Sequence, residues 1–199
     1  MASLDAFLPA IRKHISGPLD FMMRQSVLEA SITFCRESLF CRESLVLTEV
    51  EPGVTLALTE SLEVKCVKRL LITDISSPAD PADPADPAVL VAGVDFTVIS
   101  ANHIAPTRPF GRIVILFAVE PRRTADSVPD SLADDYTDVI AAGALEDLYL
   151  MPGKPWSDPQ RAAYFRSIFT DGYRRAYRDA LDNSPITGFH NPVRKHEFY

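Results

Sequence analysis

At 199 residues, 47% of them apolar, the chain is long enough to bury a real core, which excludes an intrinsically disordered protein and favours one compact domain. Its net charge of −7 is uneven: thirteen acidic residues face four basic ones over 74–151, whereas 161–199 carries seven basic and four acidic. An acidic centre argues against a protein that grips the DNA backbone, because that affinity rests on lysine and arginine. It suits a surface that DNA slides past, or a partner with a basic face.

No apolar run approaches the roughly 18 to 20 residues of a membrane span. The N-terminus MASLDAFLPAIRKH has Asp5 early and its basic residues late, the reverse of a signal peptide. A soluble protein made and kept in a cytoplasm is expected, without contact to a membrane. Cys35, Cys41 and Cys66 form no Cys-x-x-Cys pair and sit in apolar segments, so buried reduced thiols are expected. His14, His103, His190 and His196 are scattered, and neither a metal site nor a cofactor is predicted.

In chain order, residues 3–15 place Leu4, Phe7, Leu8, Ile11 and Ile15 at helical spacing, with Ser3 as N-cap. Gly17-Pro18 breaks that helix, and Pro18 opens a longer one whose stripe is Leu19, Met22, Met23, Val27, Ala30 and Phe34. The hexapeptide Phe34-Cys35-Arg36-Glu37-Ser38-Leu39 is then repeated as Phe40-Cys41-Arg42-Glu43-Ser44-Leu45. Six residues is too short a period for a solenoid, so the duplication reads as a helix end running into a strand.

From Leu45 the pattern alternates. Leu45 and Leu47, then Val54, Leu56 and Leu58, then Val64 to Ile72 read as short strands, with a turn at Glu51-Pro52-Gly53. Residues 89–94, 96–99 and 113–119 continue the series, punctuated by Gly93 and Gly111. Within it, residues 78–87 read Pro-Ala-Asp-Pro-Ala-Asp-Pro-Ala-Asp-Pro. Proline at every third position favours polyproline II, which aligns Asp80, Asp83 and Asp86 along one edge. A stiff solvated loop is the plain reading, and a loop tip facing a partner the sharper one.

Residues 121–127 form a linker, and Pro129-Asp130 starts a helix pair. Leu132, Tyr136, Val139, Ile140, Gly143, Ala144 and Leu148 mark one stripe. Phe165, Phe169, Gly172, Tyr173, Ala176 and Ala180 mark the other. Gly143 and Ala144 predict a close approach by another backbone. Pro152-Gly153 ends the first helix. Ser157 with Gln160 has capping-box spacing, and Asp158-Pro159 is a cap followed by a first-turn proline. Trp156, the only tryptophan, is expected to plug the elbow. Asp134, Asp135, Asp138, Glu146 and Asp147 fall opposite the stripe and read as solvated. Arg174, Arg175 and Arg178 stand at ion-pair spacing from Asp171, Asp179 and Asp182.

The last segment, SPITGFHNPVRKHEFY, has two prolines and one glycine but is too apolar for a free tail. It is expected to be an arm ordered against another chain through Phe189, His190, Asn191, Pro192, Val193, Arg194, Lys195, His196, Phe198 and Tyr199. No phosphate-cradling loop or dinucleotide fingerprint is present. His103 near Asp95 or Ser100 is the only catalytic candidate, and no catalytic residue is assigned.

The run IAAGALEDLYLMPGKPWSDPQRAAYFRSIFTDGYRRAY resembles the C-terminal helices of bacteriophage head-to-tail adaptor proteins, also called head completion or tail tubular proteins. A cysteine-bearing helix end leading into a first strand fits the same resemblance. The order of elements predicts an α+β protein. Helices over 1–44 and 128–183 would pack as a bundle around an inserted antiparallel β module over 45–120, which carries the 78–87 loop, and 184–199 would be an extended docking arm. The resemblance implies a virion protein at the head–tail junction, synthesised in the host cytoplasm. It would form a ring, typically a dodecamer, that binds the portal protein and presents its lower face to a tail or nozzle protein. DNA would pass through the lumen without specific binding. Gly143, Ala144, Trp156, Phe165, Phe169 and Tyr173 would serve subunit or helix packing. The alternatives are a small cytoplasmic enzyme or enzyme subunit using His103, and a scaffold unrelated to phage.

Overall fold

The computed structural model of the protein describes residues 1–76 and 88–183. The expected Pro-Ala-Asp loop over 78–87 and the expected arm over 184–199 lie outside the described residues.

A short strand, β1 (Ala2–Ser3), leads into a 3-10 turn (Leu4–Phe7) and helix α1 (Leu8–Arg12). Ser3 caps the turn, its Oγ accepting from the Asp5 N–H at 3.2 Å. The expected single helix over 3–15 is therefore two pieces, with Pro9 in the first turn of α1, where its missing N–H costs nothing. Helix α2 (Asp20–Ser38) begins two residues after Pro18 and buries Met23, Val27, Ala30 and Phe34. Leu19, expected on that stripe, is 61% exposed because it precedes the first turn.

Strands β2 (Arg42–Val50), β3 (Leu56–Ala57), β4 (Val64–Asp74), β5 (Ala88–Val89), β6 (Phe96–Val98), β7 (His103–Pro106), β8 (Phe110–Pro121) and β9 (Ser127–Val128) follow. They form antiparallel sheets in the orders β2-β8-β4-β5, β3-β7-β6 and β1-β9. The fold is thus mixed α and β with antiparallel sheets, as expected. Two boundaries differ. His103 starts β7, a strand outside the expected series, and the stretch read as a linker ends on the first residue of β9, which pairs with β1. Gly111 is not punctuation but the second residue of β8. A Cβ there would press on Ser76 at 3.2 Å, and the Ser76 hydroxyl accepts the Arg112 N–H at 2.9 Å.

The C-terminal helices are α3 (Asp130–Asp135), α4 (Thr137–Leu150) and α5 (Pro159–Asp182). A continuous first helix was expected, but the chain breaks at Tyr136 (φ −130°, ψ 20°). The Tyr136 ring lies 4.9 Å from Phe34 and 4.8 Å from Phe40, and its hydroxyl donates to Asp179 Oδ2 at 3.2 Å. Those three contacts hold the residue where a straight helix would not leave it. Helix α4 is central: Ile140 through Leu145 are all buried, so its middle is enclosed on all sides rather than along one stripe, while Asp138, Asp147 and Leu150 towards its ends stay exposed. It packs against α1, α2 and α5, and α2 in turn lies on β8.

Arg36 and Lys65 fix the join between helices and sheet at Glu120, which is 2% exposed. Arg36 donates to both Glu120 oxygens, at 2.5 and 2.7 Å, and Lys65 Nζ stands 3.0 Å from Oε1. Burial pushes the Glu120 carboxyl up, but the two cations outweigh it and hold it below the usual range.

Candidate functional site

The residues expected to pack the helix pair do so inside the subunit. A Cβ on Gly143 would stand 2.9 Å from both the Ala30 Cβ and the Phe169 ring. The close neighbours are thus side chains of α2 and α5, where another backbone was expected. Gly172 answers from α5, where any Cβ would overlap Val139. Ala144, Phe165 and Phe169 are buried and Tyr173 is half-buried against them. These positions hold the α2, α4 and α5 helices at glycine distance.

At the elbow, the N-cap of α5 is Asp158, whose Oδ1 accepts from the Gln160 and Arg161 N–H groups at 3.0 and 3.1 Å. The expected capping box at Ser157 does not form, because Ser157 Oγ turns back to the Tyr149 carbonyl at 3.3 Å. Trp156 plugs the junction, as expected, by lying against Gly17, where a Cβ would come within 2.8 Å of the indole. Gly17 (φ +113°) is left-handed, so both its backbone and its missing side chain are required there. The indole Nε1–H is buried and has no acceptor among the described residues.

Beside Trp156 opens a groove of about 480 Å³ along His14, Tyr149, Asp158 and Arg161. It continues through a second hollow of about 330 Å³ that adds Lys13, Tyr164 and Phe165. The floor is organised. Tyr149 stacks on Phe165 at 5.8 Å and 8°, and its hydroxyl donates to the His14 carbonyl at 2.6 Å. The Arg161 guanidinium donates to that same hydroxyl at 3.1 Å and stands 5.7 Å over the Tyr149 ring. Lys154 Nζ sits 6.0 Å from the Trp156 ring. Sequence reasoning found Trp156 and missed the groove, because His14 and Arg161 are 147 positions apart and meet only through the packing of α1 on the hairpin.

A second charged surface lies at the far end of α5. A hollow of about 760 Å³ is lined by Glu37, Tyr173, Arg174, Tyr177 and Arg178. The expected ion pairs are absent there: among the described residues Arg174, Arg175 and Arg178 pair with no carboxylate. Asp179 is engaged by Tyr136 instead, and burial, with Asp179 second, pushes the Tyr136 hydroxyl up to about 12. Two of the carboxylates read as solvated are also engaged. Glu146 stands 3.3 Å from Arg166, and burial pushes its carboxyl up, while Asp147 accepts from Ser26 Oγ at 2.6 Å.

The catalytic candidate is half assembled. Ser100 Oγ and His103 Nδ1 lie 3.0 Å apart on an exposed hairpin. Asp95, the expected acid, is held by Arg108 Nε at 3.1 Å and by the Val91 N–H at 2.9 Å. No third group orients the histidine among the described residues. Nor does any group of three or more His, Cys, Asp or Glu there stand ready to hold a metal ion. Cys35, Cys41 and Cys66 are free and buried, as expected. A hydrogen bond with Cys41, then burial, push the Cys35 thiol well up.

The β module shows a different surface, with Val89, Val91, Val94, Val98 and Ile99 between 42% and 70% exposed. Among the described residues no helix is long and apolar enough to cross a membrane. The arm residues Phe189 to Tyr199 lie outside the described residues. No family model matches the chain, and no curated protein matches it.

Proposed function

We propose that this protein is a structural adaptor of a phage virion, a ring beneath the portal that joins the DNA-filled head to the tail. The observation that carries the reading is the partition of the chain. Helices from both ends converge on α4, and the intervening strands form a module that exposes five large apolar side chains on and between its short outer strands. A rigid helical body suits a ring wall, and an apolar strand-rich module suits a face that meets the next tail component. The acidic centre supports a lumen that DNA traverses without sticking. In this reading the protein is a structural spacer and not an enzyme, and residues 184–199 dock onto the portal through Phe189, Phe198, Tyr199, Arg194 and Lys195.

Light scattering of the protein mixed with the cognate portal ring, with and without residues 185–199, tests this. Stoichiometric loading that disappears on truncation is the expected outcome. Loading that survives truncation removes the docking arm, and no association under any condition removes the adaptor role.

The contact between Ser100 and His103 favours a second reading, a small hydrolase. It requires ester turnover by the isolated protein that Ser100→Ala abolishes.

A further inference from the structure

We infer that the elbow groove receives residues 78–87 of a second copy of this chain, so that copies join head to tail. The groove pairs an aromatic wall with positive charge. Tyr149, Trp156, Tyr164 and Phe165 supply the rings, Lys13 and Arg161 line it as cations, and Lys154 Nζ stands 6.0 Å from the Trp156 ring. Its one carboxylate, Asp158, is already spent on two backbone N–H groups and on Arg161 at 3.7 Å. Lys13 and Lys154 pair with no carboxylate among the described residues.

The sequence of 78–87 has the complementary chemistry. Proline-rich segments dock in aromatic-lined grooves because their backbone loses little entropy on binding. Asp80, Asp83 and Asp86 recur at every third residue, about 9 Å apart in a polyproline II helix, and present carboxylates to spaced cations. The Trp156 Nε1–H has no acceptor among the described residues, and a backbone carbonyl of such a segment would supply one.

The fold separates the two partners within one copy. Glu120 meets Arg36 and Arg123 meets Glu29, so β8 runs counter to α2. Trp156 lies at the start of α2, against Gly17, roughly 24 Å from Arg36 at the rise of an α-helix. Residues 76 and 88 lie at the opposite end of β8, because Asp74 pairs with both Ile113 and Ala88, roughly 23 Å beyond Glu120 at the rise of a strand. A segment anchored at both 76 and 88 reaches out only about 20 Å before it must return. The groove it fills therefore belongs to another copy. Such a contact is heterologous and builds either a closed ring or an open filament. It concerns this chain alone and stands or falls without the portal.

Trp156, the only tryptophan, reports on the groove directly. The test uses the full chain carrying Asp80→Ser, Asp83→Ser and Asp86→Ser, titrated with the peptide PADPADPADP. Saturable change in Trp156 emission is expected, weakening several-fold between low and high salt. The same peptide with asparagine for aspartate is expected to bind at least ten-fold more weakly. So is the original peptide to a protein also carrying Lys13→Glu and Lys154→Glu. Both lysines are exposed, and circular dichroism checks that this variant is folded. In sedimentation velocity the natural chain is expected to gain mass with concentration. The segment variant and the groove variant alone stay monomeric, and their mixture stops at a dimer. Unchanged emission at millimolar peptide overturns the proposal, as does self-association that survives both sets of substitutions.

Discussion

Residues 34–39 and 40–45 share one sequence, FCRESL, and adopt two structures. The first copy closes α2 and the second opens β2, with Leu39 as the hinge in the left-handed region at φ 50°. Phenylalanine, arginine and serine thus occur twice with different work. Phe34 is fully buried while Phe40 is half-buried, and Ser38 is fully buried while Ser44 is exposed. Arg36 reaches the buried Glu120, whereas among the described residues Arg42 donates only to the Leu39 carbonyl, at 3.0 Å. Side-chain identity alone therefore predicts neither conformation nor energetic weight.

Paired substitutions break or sharpen this contrast, all read as the midpoint and slope of urea unfolding. The largest difference is expected at phenylalanine. Phe34→Ala is expected to cost about 4 kcal/mol, as for other fully buried rings, and Phe40→Ala about 1.5 kcal/mol. Equal losses would mean that burial at the helix end is not what distinguishes the copies.

Arginine comes next. Arg36→Met is expected to cost about 2 kcal/mol, because it strips the better partner from a buried carboxylate, and Arg42→Met under about 0.5 kcal/mol. The pH dependence follows from the same group. Glu120 is held below its ordinary value in the folded protein, so its contribution is complete above about pH 4.3, the unfolded value. As pH falls from there through the depressed folded value the contribution drains away. In Glu120→Gln, the slope of stability between pH 5 and pH 2 is expected to flatten.

Serine gives a smaller effect. The Ser38 hydroxyl donates to the Phe34 carbonyl at 2.7 Å and accepts the Phe40 N–H at 3.2 Å. Ser38→Ala is expected to cost about 1 kcal/mol, and Ser44→Ala nothing beyond about 0.5 kcal/mol. The smallest effect should reverse sign between the copies. Leu39→Gly relieves a left-handed leucine and is expected to gain about 0.5 kcal/mol, whereas Leu45→Gly is expected to lose about 1 kcal/mol from a strand.

Much of the fold was legible locally. The glycine-proline break before α2, the Asp158-Pro159 start of α5 and the alternation in β4 and β8 act within a few residues, and the structure follows them. The break at Tyr136 was not legible, since it depends on Phe34, Phe40 and Asp179, none of them near it in sequence. The ion pairs expected for Arg174, Arg175 and Arg178, absent among the described residues, failed for a related reason: spacing permits a pair, but Asp179 was taken by the Tyr136 hydroxyl. Of the elbow groove, the sequence offered Trp156 and the cap, while His14 and Lys13 joined them only through packing.

By itself, then, the sequence determined the element types, the helix boundaries at proline and glycine, and the charge imbalance, because periodicity, ring closure and formal charge are local properties. The helix-to-strand change across the FCRESL pair was legible too, and only the tertiary structure decided what each copy packs against. The first copy can pack Phe34 against Tyr136 and tie Arg36 to Glu120 only from the last turns of a helix, and the second can pair with β8 only when extended. Those partners lie about 70 to 100 residues further along the chain, beyond the reach of any local preference.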